Sequence, residues 1–104
     1  MITELFTVSN RRVWPRVSQQ VPVNADANAG YTLNVSLRGA RIVTRKPLQK
    51  RFKLLLELDE TLELEAESVW QEELGGHNRV VGVRFYPQPE QEGVLQRWMD
   101  RVAC

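Results

Sequence analysis

From Arg16 to Phe85 the apolar side chains recur mostly at every second position, and this alternation constrains the fold more than any other feature of the chain. Successive residues of a strand point to opposite faces, so period two predicts strands with one buried side. Tyr31, Leu33 and Val35 fall on one side of such a strand, with Asn34 and Ser36 on the other. Ala40, Ile42 and Thr44 alternate with Arg41, Val43 and Arg45, and Phe52, Leu54, Leu56 and Leu58 alternate with Lys53, Leu55, Glu57 and Asp59. A turn at Asp59 and Glu60 leads into Leu62, Leu64 and Ala66, with Glu63, Glu65 and Glu67 pointing outward, which predicts an antiparallel hairpin with a solvated acidic face. Gly75, Gly76, His77 and Asn78 form the next turn, and Val81, Val83 and Phe85 the last strand. Residues 24–30, small and polar, read as a loop, and residues 1–10 as a flexible N-terminal segment.

The period changes once. Past Pro87 and Pro89, the residues Val94, Leu95, Trp98, Met99 and Val102 make the apolar stripe of one amphipathic helix, with Glu90 and Glu92 near its start, where the helix dipole favours acids. Short strands followed by a terminal helix predict a small antiparallel barrel or sandwich with a helical lid, all-β with a minor α part. At 104 residues the chain suits one compact domain.

The net charge of +1 conceals a gradient. Residues 1–51 carry nine Lys or Arg against two acids, an excess of +7, and residues 52–104 sum to −6. Such asymmetry is a reason to look for an anionic ligand. The one cysteine, Cys104, cannot form an internal disulfide, and the longest apolar run is three leucines, at 54–56, so neither an oxidising compartment nor a membrane span is indicated. The N-terminus lacks the pattern of a signal peptide, and a cytoplasmic location is expected.

Enzyme constellations are nearly absent. His77 lies in a turn without a second His or Cys at ligand spacing, and Cys104 has no partner base, so neither a metal site nor a catalytic nucleophile is expected. The acids of the second half alternate outward on strands and read as a solvated face. Two segments do carry chemistry. The first, Arg11-Arg12-Val13-Trp14-Pro15-Arg16, is a basic arm in which the proline disfavours helix. Its guanidiniums can bind phosphates and purine edges through paired hydrogen bonds, and can stack on flat rings. The second, Asn34-Val35-Ser36-Leu37-Arg38-Gly39, offers a carboxamide and a hydroxyl for a base edge, then a glycine that permits a bend and close approach.

Arg12-x-x-x-Arg16 followed by Asn34-x-Ser36-x-x-Gly39 resembles the paired RxxxR and [D/N]xSxxG signature of PilZ domains, bacterial receptors for the second messenger cyclic di-GMP. Ser36-Leu37-Arg38-Gly39-Ala40-Arg41 is similar to that family's SLxGA segment, Ser68-Val69-Trp70 to its strand ending in VW, and Gly82-Val83-Arg84-Phe85 to its GVRF strand. The resemblance implies a six-stranded antiparallel β-barrel with a C-terminal helix packed on it, spanning residues 11–104 as one domain. It implies further that Arg12 and Arg16 clamp phosphates and guanine edges, that Asn34 and Ser36 hydrogen-bond a guanine, and that Gly39 leaves room for it. Trp70 stands where some members place an aromatic near a base, the alternative being core packing. Arg11 stands where an arginine tends to accompany a stacked ligand pair.

The expected function is therefore that of a non-enzymatic cyclic di-GMP receptor or adaptor, without a resident cofactor or metal, that changes conformation and signals to a protein partner. Two alternatives stand beside it. One is a PilZ-like interaction module that works without nucleotide; the other is a small barrel binding single-stranded nucleic acid through its arginines and tryptophans. The compact basic site, in a chain of near-zero net charge, favours a dinucleotide over a long nucleic acid, and no membrane insertion is expected.

Overall fold

The computed structural model describes residues 17–102, so Arg11, Arg12, Arg16 and the segment 1–10 lie outside the described residues. Six strands, β1 (Pro22–Ala25), β2 (Asn28–Val35), β3 (Gly39–Thr44), β4 (Arg51–Glu57), β5 (Thr61–Gly75) and β6 (Asn78–Tyr86), precede one helix, α1 (Pro89–Val102). The strands close into a barrel in the order β1-β2-β3-β6-β5-β4, and every pairing is antiparallel. Closure removes the sheet edges that would otherwise expose unpaired backbone groups.

The interior follows the alternation closely in β4 and the first half of β5, whereas in β3 and β6 Val43 and Val80, a cross-strand pair outside the core cluster, are buried as well. Ile42, Leu54, Leu56, Leu64, Ala66 and Val81 are fully buried together, with Phe52, Leu62, Val83 and Phe85 beside them. Glu63 and Glu65 point outward opposite Leu55 and Lys53. Helix α1 lays Leu95, Trp98 and Met99 on this core, with Val94 and Val102 at the margins. Arg101 ties the end of the helix to Asp59 in the β4–β5 turn through two hydrogen bonds. Among the described residues no helix is long and apolar enough to cross a membrane.

Two expectations need correction. Residues 24–30 are not a loop: they are the facing ends of β1 and β2, paired Asn24 to Ala29 and Ala25 to Asn28 around a two-residue turn. Asp26 and Ala27 both adopt left-handed backbone (φ 53° and 66°), the geometry whose twist matches a two-residue hairpin. Small side chains on the two strands disguise the alternation. Nor do Tyr31, Leu33 and Val35 share a buried face. Thr32 pairs with Ile42 and Asn34 with Arg41, so Leu33 is an extra residue, and this β-bulge reverses the phase of β2. Thr32 faces in before it and Val35 after it, while Tyr31 is exposed on the outer side. The hydroxyl of Thr32 is satisfied inside, donating to the Gln19 carbonyl and accepting from the Val21 amide.

Outside the barrel the Glu67 carboxylate accepts the Tyr86 hydroxyl and bridges Lys50 at 3.2 Å, with Arg51 over the Tyr86 ring. The Tyr86 hydrogen bond, then Lys50, hold its pKa below the ordinary glutamate value. A carboxylate with a lowered folded-state pKa contributes stability above its unfolded value and loses it as pH falls through the folded one. Glu67→Gln should therefore lower the unfolding temperature slightly at neutral pH and converge with wild type at low pH, so that the acid limb of a thermal-unfolding pH profile is flatter. Leu54→Ala, at a fully buried position, should lower unfolding free energy by about 2–5 kcal/mol in urea titrations.

Candidate functional site

A filled barrel leaves only its outer surface for a ligand, and the residues of interest reach that surface through irregularities in two strands. The bulge at Leu33 places Asn34 opposite Arg41, on the side away from the core-facing Val35. In β5 an equivalent bulge at Val69 intervenes between Ser68, opposite Val83, and Trp70, opposite Gly82. Strict alternation from Leu64, Ala66 and Ser68 would send Trp70 into the core. Instead it stands outside, 43% exposed. Arg41 also pairs with Gly82, so Asn34, Arg41, Gly82 and Trp70 form one row across β2, β3, β6 and β5. Trp70 is thus an outer-surface residue and not part of the core.

The indole lies against Gly82. A Cβ at that position would meet Trp70 Nε1 at 2.3 Å and Cε2 at 2.4 Å, so only glycine lets the ring rest on the strand. Beside it opens a groove of about 300 Å³, lined among others by Arg38, Arg41, Val69, Trp70 and Arg84, with no acidic residue in its lining. Three guanidiniums and a half-exposed indole suit a ligand that is both anionic and planar.

Ser36 and Gly39 already have structural tasks. The Ser36 hydroxyl accepts from the amides of Arg38 (3.3 Å) and Gly39 (3.2 Å) and donates to the Gly39 carbonyl at 3.2 Å, pinning the turn between β2 and β3. Gly39 lines the groove, yet the place of its missing Cβ is taken by the Val83 carbonyl, 2.1 Å away, so glycine is demanded by the β3–β6 approach. Asn34 is only 6% exposed on the flank of this turn.

Val17, the residue that follows Arg16, is bonded in both directions to Val35: its amide donates to the Val35 carbonyl at 2.7 Å, and the Val35 amide donates back at 2.8 Å. Val35 lies between Asn34 and Ser36. Val17, far from the second motif in sequence, is therefore bonded into it. The structure brings together Asn34, Gly39 and Trp70 around the outer row, keeps Ser36 within the supporting turn, and leaves Arg11, Arg12 and Arg16 outside the described residues. Sequence reasoning did not single out Arg38, Arg41 and Arg84 as site residues, although the segments Ser36-Leu37-Arg38-Gly39-Ala40-Arg41 and Gly82-Val83-Arg84-Phe85 contained them. Among the described residues no group of His, Cys, Asp or Glu is arranged to hold a metal ion.

The sequence profile of the PilZ domain matches residues 9–101. The chain belongs to the PilZ domain family. PilZ domains are in general binding modules of the cyclic di-GMP-binding adaptor type. The PilZ barrel seen here is similar to the structure of the Bacillus subtilis inhibitor of motility MotI/DgrA, with a TM-score of 0.71 over 88% of this chain at 19% identity. At that identity the likeness speaks for the fold, and the chain spans 50% of the length of that protein. No curated protein matches the sequence.

The close contact at Gly39 makes a prediction of its own. Gly39→Ala should lower the unfolding midpoint with no ligand present, because the added methyl collides with the Val83 backbone. An unchanged midpoint in thermal denaturation would show that the strands can part there at no cost.

Proposed function

We propose that this PilZ domain is a cyclic di-GMP receptor and adaptor, acting in the cytoplasm and passing its signal to a protein partner by contact. The observation that supports the reading is the double hydrogen bond between Val17 and Val35, which holds the residue that follows the Arg12-x-x-x-Arg16 motif in sequence inside the Asn34-x-Ser36-x-x-Gly39 segment. Cyclic di-GMP carries two phosphate charges and two purine faces, and arginine serves both. Each charge-assisted contact contributes about 1.5–3 kcal/mol, while fixing a residue of the arm costs about 1–2 kcal/mol. Several arginine contacts are needed to offset that cost, so ligand occupancy and arm position are coupled. No catalytic step is invoked.

Leu37, between the Ser36 hydroxyl and Gly39, packs against the core cluster, and Leu37 and Arg38 also line a cleft with Pro89, Glu92, Gly93 and Gln96 of α1. A ligand that moves this turn reaches the helix through that cleft, and α1 is the surface through which a partner senses it.

Titration calorimetry with cyclic di-GMP tests the reading. Binding at tens of micromolar or tighter is expected, with Arg12→Ala and Arg16→Ala each weakening it by roughly tenfold or more. No heat at those concentrations, or unchanged binding in both variants, would overturn it. The stoichiometry from the same titration, compared with that of Arg11→Ala, reads whether Arg11 supports a stacked ligand pair.

A further inference from the structure

We propose that the barrel carries a second, separate binding site, a pocket at the tip of the β5–β6 hairpin in which Arg45 and Arg79 receive a phosphate monoester dianion. The site is independent of the cyclic di-GMP reading and does not rest on it.

The ribbon that builds the pocket runs past the rest of the sheet. Pairing of β5 with β4 ends at Glu67 opposite Arg51, whereas β5 continues to Gly75 with β6 beside it. Gln71 clamps the connection between β3 and β4 to this ribbon: its amide nitrogen donates to the Leu48 carbonyl at 3.0 Å, and its oxygen accepts from the Leu48 amide at 3.3 Å. Arg45, at the start of that connection, thereby comes to the hairpin and lines a cavity of about 260 Å³ with Glu73, His77, Arg79 and the turn glycines.

The state of the two guanidiniums points to a ligand. The Arg79 side chain is only 20% exposed, and its ion-pair partner Glu73, 79% exposed, stands 3.5 Å from Nη2, at the outer limit of a hydrogen bond. Among the described residues, Arg79 Nε is the buried side-chain polar atom left without a hydrogen-bond partner. A guanidinium enclosed with one long contact is under-satisfied, and native proteins avoid that state unless another group completes it. Arg45 is exposed and has no ion pair with the described residues. Gly76 and His77, beyond the last strand pair Gly75–Asn78, add two left-handed residues whose amides have no ladder partner. Two guanidiniums thus face one carboxylate, and a phosphate dianion restores the balance while accepting their paired N–H donors.

The pocket is no extension of the arginine-lined groove. Glu73 and Arg79 pair on the face of the ribbon that carries the buried Val81, whereas Trp70 and Gly82 lie on the other. Along β3, Thr44 pairs with Arg79 and Gly39 with Arg84, so about 17 Å of strand separates the pocket from the Ser36–Gly39 turn. Glu73 holds Arg79 in the empty site and repels the dianion, so its removal acts opposite in sign to the loss of either arginine.

The test follows amide and arginine side-chain chemical shifts of the isotope-labelled full chain titrated with inorganic phosphate, with glycerol phosphate, and with phosphatidylcholine vesicles with or without phosphatidic acid. Saturable changes are expected at Arg45, Gly76, His77 and Arg79 Nε, with Kd on the order of millimolar or tighter. The same signals broadened only by phosphatidic acid vesicles, and unmoved by the soluble phosphates, would support the site with a lipid headgroup as the source. Arg45→Ala, at an exposed position, and Arg79→Lys, which keeps the charge and loses the fork, should each weaken binding roughly fivefold or more. Glu73→Gln should tighten it, and Lys46→Ala, an equal charge loss outside the pocket lining, should leave it within about twofold of wild type. No saturable change with any probe, equal weakening by Lys46→Ala, or changes centred on the Trp70 indole instead of the hairpin tip would overturn the proposal.

Discussion

Side-chain alternation in a closed barrel is the constraint on which the rest of this structure depends. Six strands fill their interior with Ile42, Leu54, Leu56, Leu64 and Val81, and a packed interior has no space for a ligand. Every residue that is to meet a solute must sit on the outward phase of its strand. The chain meets this demand twice by the same means, one extra residue at Leu33 and one at Val69, each reversing the phase so that Asn34 and Trp70 come to the outside. The bulges lie in β2 and β5, on either side of the regular pair β3 and β6. They therefore frame the strip of outer wall that carries Arg41 and Gly82.

The sequence made much of this architecture legible, and the limits have physical reasons. Strand β4 and the first half of β5 could be read because their buried residues are mostly large and strictly alternating, as in Phe52, Leu54 and Leu56, and β3 and β6 from their alternating parts, such as Val81, Val83 and Phe85. Helix α1 could be read because Leu95, Trp98 and Met99 recur at helical spacing after two prolines. The β1–β2 hairpin was hidden by residues too small to show a phase, and by a turn that uses Ala27 where glycine or asparagine is usual. The bulges were hidden because an extra residue leaves no compositional mark. Nothing about Leu33 or Val69 distinguishes them from their neighbours, yet they decide on which side of the barrel wall Asn34 and Trp70 stand.

The site was legible as a set of residue types and less so as a division of labour. Asn34-x-Ser36-x-x-Gly39 reads from sequence as ligand chemistry, but Ser36 spends its hydroxyl on the turn, and Gly39 is required by the Val83 carbonyl. Part of the motif therefore builds the platform on which the remainder acts. The charge gradient is sharpened in the same way. Several cations of the barrel surface are paired with glutamates, whereas Arg41 and Arg84 line the groove without such partners among the described residues. Arg41 of the basic half and Arg84 of the acidic half meet at one local anion site.

On the function proposed above, the outer wall of β2, β3, β6 and β5 receives cyclic di-GMP. The most direct measurement is the change in backbone amide and indole chemical shifts of the isotope-labelled chain on adding the nucleotide. The largest changes are expected at Asn34, Arg41, Gly82 and the Trp70 indole, with small ones on β4 and at the β4–β5 turn. No change at saturating nucleotide, or changes centred on β4 and the acidic face, would contradict it.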